Sequence, residues 1–307
     1  MPSDKVLIEV GLNENQDRRA NRHVPYTAAE LAAEAKRCCD AGASIVHYHG
    51  RRAAAGDPAL SNPSITLAAQ RAITETTPVV AYPSYGSEIR VLDYYDLGTP
   101  APERYQHIVE LAANGVRLEV VPVDLGAFDS NARWDAGRLV PSTGLLMNTG
   151  TDQQWILAFC RRYGLQPHFT AFDTQHLVNL RNLIAWGWTG SAPLMVKLFL
   201  AGASATPAML LFQRDRMHEL FPDAELLWMP LVYGSDQFPL SALALALGGH
   251  VRIGIGDHHY RERGEPTNAE LVERIVIVAR AIGRDPAGPD DARALMGLRR
   301  LGEETTR

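Results

Sequence analysis

Two histidines stand two residues apart in the stretch 44–51, Ser-Ile-Val-His-Tyr-His-Gly-Arg. In an extended chain such residues point to one face. Two imidazoles on one face at the end of an apolar strand make the start of a metal site. His47 and His49 are therefore the first candidates for chemistry, against the plainer reading of two satisfied interior histidines. A second concentration lies in 251–259, Val-Arg-Ile-Gly-Ile-Gly-Asp-His-His. Arg252 interrupts an apolar run, and burying a guanidinium without a partner is costly. It must meet a carboxylate or an anionic ligand, either as a structural Arg–Asp bridge or as a substrate contact. Asp257, His258 and His259 follow it, as candidate site groups or as a turn cap and loop residues.

These groups need elements to position them. Short apolar runs alternate with helical patterns along the whole chain. Strands are predicted at 5–12, 44–49, 78–82, 116–121, 167–172, 194–199, 225–232 and 250–255. Helices are predicted at 27–41, 64–76, 101–114, 151–163, 174–187, 206–220, 237–247 and 267–282, with a short last helix at 289–297. Thr27 with Glu30 three residues later has the form of a capping box, and Gly42 supplies a stop. The stretch 124–150 is less regular and reads as a hairpin or excursion.

Eight βα units in 307 residues imply a parallel sheet. They favour an α/β fold of the (β/α)8 TIM-barrel type, one domain over 1–307 with a C-terminal helical extension. No Gly-x-Gly-x-x-Gly follows the first strand, which argues against a dinucleotide fold. In such a barrel the C-terminal strand ends carry the active site. Those ends collect Asn13, Glu14 and Gln16; His47, His49 and Arg51; Tyr82 and Ser84; Glu119 and Asp124; Thr170 and Asp173; Tyr233, Gly234 and Ser235; then Arg252 and Asp257 to His259. A serine hydrolase is a weak alternative, because no Gly-x-Ser-x-Gly elbow exists.

Composition narrows the partners. Net charge is −5, and no basic stripe marks a nucleic-acid surface. No apolar run reaches the ~18 residues of a membrane span, and no signal peptide is visible. Cys38, Cys39 and Cys160 have no metal-knuckle spacing and read as reduced thiols, so a cytoplasmic location is expected.

Four stretches resemble the β-keto acid cleavage enzymes, the family of 3-keto-5-aminohexanoate cleavage enzyme. They are Pro-Tyr-Thr-Ala-Ala-Glu-Leu from Pro25 with 41–51 ending in His-Tyr-His-Gly-Arg; 83–86, Pro-Ser-Tyr-Gly; Leu240 to Asp257, with Gly-Gly-His-Val-Arg-Ile-Gly at 248–254; and Asn-Ala-Glu-Leu-Val from Asn268 with Ala292-Arg293. The resemblance implies a (β/α)8 barrel, a homo-oligomer (dimer or tetramer), and one divalent metal, usually zinc. It implies a retro-Claisen exchange in which a β-keto acid and acetyl-CoA give acetoacetate and a new acyl-CoA. Carried across, His47 and His49 hold the metal, Ser84 contacts substrate, and Arg252 orients Asp257 as general base. Glu14 and Arg51 are further substrate contacts.

The family's glutamate ligand falls on Gly256, which has no side chain. The third ligand must come from His258, His259, Glu119, Glu9, Glu14 or solvent, with His258 the choice on sequence proximity. Gln16, Pro122 and Thr170 also replace family residues. The competing readings are a metal-dependent hydrolase or lyase that uses no CoA, and a non-catalytic binding protein. The sequence marks no substrate side-chain pocket.

Overall fold

The computed structural model describes residues 4–14, 16–52, 59–86, 99–129, 133–135, 138–140, 145–187 and 193–301, with backbone alone at 129, 133–135, 138–140 and 145. Its central strands are β1 (Ile8–Gly11), β2 (Ile45–Tyr48), β3 (Val80–Pro83), β4 (Val120–Asp124), β5 (Gln166–Ala171), β6 (Leu194–Ala201), β7 (Leu226–Tyr233) and β8 (Val251–Ile253). All eight are nearly or fully buried, and each pairs in parallel with its neighbours in the order β8-β1-β2-β3 and β4-β5-β6-β7.

Single contacts join the two halves. His250 N donates to Trp228 O at 2.7 Å and Gly234 N to Asp257 O at 2.9 Å, between β7 and β8. Gln70 Nε2 donates to Ala81 O and to Arg117 O, both at 2.8 Å, bridging β3 to the approach of β4. The sheet thus closes as a (β/α)8 barrel. Strands buried on both faces explain the continuous apolar runs.

Helices follow the strands in turn. The first, α1 (Ala28–Ala41), has the expected capping box, with Glu30 N donating to Thr27 Oγ1 at 3.2 Å and Gly42 in the left-handed conformation behind it. Besides a single α-helical turn at Ala101–Arg104, the others are α2 (Pro63–Thr76), α3 (Gln106–Ala113), α4 (Gly150–Tyr163), α5 (Thr174–Ala185), α6 (Pro207–Leu220), α7 (Phe238–Ala246), α8 (Asn268–Ala281) and α9 (Pro289–Leu295). The irregular stretch after β4 is built from two antiparallel pairs, Ala127–Asp129 with Leu145–Met147 and Arg133–Asp135 with Arg138–Val140. Among the described residues no helix is long and apolar enough to cross a membrane. Cys38 and Cys160 are buried free thiols and Cys39 is half-buried.

The fourth strand corrects the sequence reading. It runs from Val120 to Asp124, later than the expected 116–121. Glu119 therefore precedes the strand and lies at the floor of the barrel. There it accepts two hydrogen bonds from the fully buried Arg293 of α9, at 2.6 and 2.8 Å. Arg293 also donates to Pro78 O at 2.8 Å. Glu119 is thus engaged in closing the floor and is not a mouth residue.

Candidate active site

Register decides which side chains face the barrel interior. Glu9 lies beside Arg252, Gly11 beside His47, and His47 beside Tyr82. On the other half, Asp124 lies beside Thr170 and Thr170 beside Lys197. Alternation along each strand stacks these residues in two layers.

The lower layer is centred on Glu9, which is fully buried. Its Oε1 accepts from Arg252 Nη1 at 2.5 Å and from Tyr82 OH at 2.8 Å. His168 Nδ1 is 3.1 Å from Oε2, and Lys197 Nζ is 3.7 Å from Oε1. Lys197 also donates to Tyr82 OH at 3.0 Å. Burial alone would raise the pKa of Glu9, but Lys197, His168 and Arg252 outweigh it and hold the carboxylate well below its usual range. Tyr82 is among the strand-end residues expected from the sequence, whereas Lys197 and His168 are not. A single lysine in the apolar run of β6 is the one signal that could have found this layer.

The upper layer holds the metal candidates. Glu14, His47 and His49 present ligand atoms that all lie within 4.8 Å of one another. Glu14 Oε1 is 3.2 Å from His47 Nε2, and its Oε2 contacts His49 Nε2. The loop after β1 is held in this position by Asn13. Its Nδ2 donates to Pro25 O and His49 O, both at 3.0 Å, and its Oδ1 accepts from His49 N at 2.8 Å. Arg51 Nη2 donates to Asn13 O at 3.2 Å and also to Glu14 O, fixing the same loop from the β2 side. Glu14 itself sits at φ 27°, a strained conformation for a side-chain-bearing residue.

Asp257 and Arg252 complete the layer. Arg252 Nε donates to Asp257 Oδ2 at 2.9 Å and Nη2 to Oδ1 at 3.0 Å, a bidentate pair. Nη2 also reaches Glu14 Oε1. One guanidinium thus serves three carboxylates, those of Glu9, Glu14 and Asp257. Gln237 Nε2 adds a bond to Asp257 Oδ2 at 3.2 Å, while its Oε1 accepts from Gly254 N at 2.9 Å. Burial raises the Asp257 pKa and outweighs the opposing pull of Arg252, so the net direction is upward. Oδ1 accepts one of these bonds and Oδ2 two, which leaves Oδ1 the better-placed proton acceptor.

The residues present fit a divalent cation. Two imidazoles and a carboxylate converge, all nearly buried, a donor set typical of zinc. Burial pushes the His47 pKa well below its ordinary value, which favours the neutral ligating form. Burial alone would raise the Glu14 pKa, but His47, His49 and Arg252 hold it well below the usual carboxylate range.

His258, the sequence choice for third ligand, falls in a different group, with His259 and Glu262. Its Nε2 is 2.8 Å from Glu262 Oε1. Glu14, expected as a substrate contact and as one of the alternatives for third ligand, is the carboxylate that lies beside the two histidines. The reason lies at Gly256. A Cβ there would stand 2.7 Å from Glu14 Cγ, 2.7 Å from Gly11 O and 2.8 Å from Asn13 N. The missing side chain leaves the space through which Glu14 reaches the histidines. Ser84 lies directly after β3, half-buried, its N donating to Tyr48 O at 2.9 Å.

Comparison with known proteins agrees with this architecture. The sequence profile of the beta-keto acid cleavage enzymes matches residues 5–298. A 3-keto-5-aminohexanoate cleavage enzyme of Acetoanaerobium sticklandii is 29% identical over 287 residues, 91% of this chain and 92% of that protein. A 3,5-dioxohexanoate:acetyl-CoA acetone transferase of Paraburkholderia graminis is 25% identical over 90% of each chain. Among solved structures, apo ObcA superposes with a TM-score of 0.67 at 17% identity, covering 90% of this chain and 66% of ObcA. That likeness concerns the fold.

Proposed function

We propose, from the premise that this chain belongs to the β-keto acid cleavage enzyme family, that it catalyses a metal-dependent exchange between a β-keto acid and acetyl-CoA. The products are acetoacetate and the acyl-CoA of the substrate's own side chain. The observation that carries this reading is the convergence of Glu14, His47 and His49 beside the Asp257–Arg252 pair.

Charge supports it. Three buried carboxylates, Glu9, Glu14 and Asp257, face two buried cations, Arg252 and Lys197. A divalent cation held by Glu14, His47 and His49 turns an excess of negative charge into an excess of positive charge, which suits an anionic keto acid. When bound, that metal (zinc, or another divalent ion) supplies Lewis acidity toward the keto and carboxylate oxygens of the substrate.

The protein's own groups do the rest. Asp257 Oδ1 takes a proton from C2 of the keto acid, and the raised pKa makes its carboxylate a stronger base. Arg252 and Gln237 hold that carboxylate so that no reorientation accompanies the transfer. C2 then bonds to the acetyl carbon of acetyl-CoA and CoA leaves as thiolate. The thiolate adds to the substrate's original ketone, the bond to C2 breaks, and C2 takes back the proton held by Asp257, which gives acetoacetate and the new acyl-CoA and regenerates the carboxylate. Ser84, at the end of β3, is a substrate contact in the same reading. The enzyme works as a cytoplasmic homo-oligomer.

The test is to incubate zinc-loaded protein with a 3-oxo acid and carbon-labelled acetyl-CoA, and to follow label into acetoacetate. Label transfer with equimolar new acyl-CoA is the expected result. Product formed at the same rate without acetyl-CoA would replace this reading with a hydrolase or lyase on the same barrel.

A further inference from the structure

The half of the mouth opposite the metal candidates is built differently. Lys197 faces inward on β6, so Phe199, two residues further toward the C-terminal end, faces inward one layer above it. By the same alternation Phe172 stands above His168 and Thr170, immediately after β5. Phe199 lies beside Leu231 and Ala201 beside Tyr233 in the β6–β7 register, which places Tyr233 one layer above Phe199 on the same inward face. Phe128 reaches in from the excursion after β4.

These rings form one cluster. Phe128 stacks on Phe172 with centroids 4.5 Å apart, Phe172 meets Phe199 at 4.7 Å, and Phe199 stacks on Tyr233 at 6.3 Å. All four are half-buried, so the cluster keeps accessible ring surface. Burial lowers the Arg51 pKa, and the Tyr233 phenol is among the groups opposing that shift. Tyr233 therefore lies within electrostatic reach of β2, across the mouth. An eight-stranded barrel is only wide enough for side chains to fill it, so the two halves of the mouth face each other across one substrate.

Among the described residues charge is scarce on this half. Beside and above Lys197 the inward residues of β5 to β7 are Thr170, Phe172, Phe199, Ala201, Leu231 and Tyr233, none of them ionised at neutral pH. Asp173 accepts from His176 N at 3.0 Å as the cap of α5. Asp124 already accepts from Tyr85 OH, and burial pushes its pKa up. Lys197 is engaged by Tyr82 and Glu9.

We infer that this aromatic wall is the subsite for the substrate's acyl side chain, and that it selects apolar, bulky 3-oxo acids over those with an anionic end. The inference rests on the proposed reaction for its anchor, since the carboxylate and ketone ends must lie at the metal candidates. A second carboxylate placed against four rings loses hydration and meets their negative faces, with no partner in return.

The experiment uses zinc-loaded protein, acetyl-CoA and three substrates. Two are 3-oxo acids of equal chain length ending in phenyl or carboxylate, and 3-oxopentanoate is the short reference. The phenyl acid is expected to exceed the carboxylate-ended acid in kcat/KM by ~10-fold or more, the scale of discrimination in a hydrophobic pocket. Phe199→Ala is expected to lower kcat/KM for the phenyl acid about tenfold more than for 3-oxopentanoate, through KM. Phe199→Leu, which retains more of the apolar volume, should recover part of that loss. Calorimetric binding of 3-phenylpropionate to the zinc-loaded protein, weakened by Phe199→Ala, gives a readout free of turnover.

Preference for the carboxylate-ended acid, or a ranking and a 3-phenylpropionate affinity that Phe199→Ala leaves unchanged, would overturn the wall. If no 3-oxo acid exchanges with acetyl-CoA but 3-phenylpropionate still binds and depends on Phe199, the proposed reaction falls and the subsite stands.

Discussion

Replacing Gly256 by alanine adds one methyl group and should cost the protein its metal. The new Cβ would lie 2.7 Å from Glu14 Cγ and 2.7 Å from Gly11 O, with Asn13 N at 2.8 Å. Carbon contacts are comfortable at about 3.5–4.0 Å, so each neighbour must retreat by several tenths of an ångström or more. Two of the three are backbone atoms, which do not swing away as a side chain tip would. Overpacking of this kind typically costs about 1–3 kcal/mol. The consequence for the site is larger than the loss of stability. Asn13 ties this loop to His49 by two hydrogen bonds at 3.0 and 2.8 Å, so displacing it moves Glu14 and His49 together. Metal sites tolerate ligand displacements of about 0.2 Å, less than the required shift. Zinc affinity should fall by at least the ~10–100-fold seen when a supporting contact of a metal site is lost. Competitive titration against a chelator reads the affinity, and urea unfolding of the metal-free protein reads the stability separately. A Gly256→Ala protein that binds zinc as tightly as the parent would refute the claim that Glu14 passes through this space to the histidines.

Other outcomes follow from the same geometry. His47→Ala should abolish the tight site, reducing metal content from about one per chain to background by mass spectrometry; full retention would remove His47 from the ligand set. Arg252→Lys keeps a charge but not the fork that serves Glu9, Glu14 and Asp257, so unfolding free energy should drop by about 3 kcal/mol or more; a loss well below that would mean the three carboxylates are held by other groups. Asp257→Asn should lower kcat by ~10²-fold or more while zinc still binds, and should stop exchange of the C2 hydrogens into heavy water; continued exchange would exclude Asp257 as the base. Burial lowers the pKa of His250 from 6.5 to about 3, and that of His107 to about 4. Both are neutral in the fold, whereas the unfolded chain takes up protons below about 6.5. Stability is therefore full above about 6.5 and is lost as pH falls toward 3–4, by at most about 1.4 kcal/mol per pH unit for each group. His250→Gln, which can still accept from Leu7 N as Nδ1 does at 3.1 Å, should flatten that slope in urea midpoints measured between pH 7 and 4; an unchanged slope would assign it to other groups.

The barrel was legible because its strands are buried on both faces and its helices carry local signals such as Thr27 with Glu30. Strand four was misplaced because Glu119 follows an apolar stretch and precedes another, and only the Arg293 contact from α9 shows that it belongs to the floor. The histidine pair was readable from a spacing of two. The carboxylate beside the pair was harder to choose, since sequence proximity favours His258 over the more distant Glu14, while strand pairing brings the loop at Glu14 over Gly256. Glu9, Lys197 and His168 lie on three different strands, and their mutual pairing is a property of closure alone. The aromatic wall was hidden for the same reason. Phe128, Phe172, Phe199 and Tyr233 each end a separate apolar run, and nothing local distinguishes a core ring from one at a mouth.

The lower polar layer also bears on how this protein can change over generations. Arg252, Glu9, Tyr82, His168 and Lys197 come from five strands, and each is a partner of at least one other. Exchanging any one strands a buried charge or hydroxyl on its neighbour. That layer of the interior can drift only by concerted substitutions. Phe128, Phe172, Phe199 and Tyr233 share contacts among rings and open space, so single replacements there are tolerated. New side-chain preferences can arise at the mouth while the layer beneath it stays fixed.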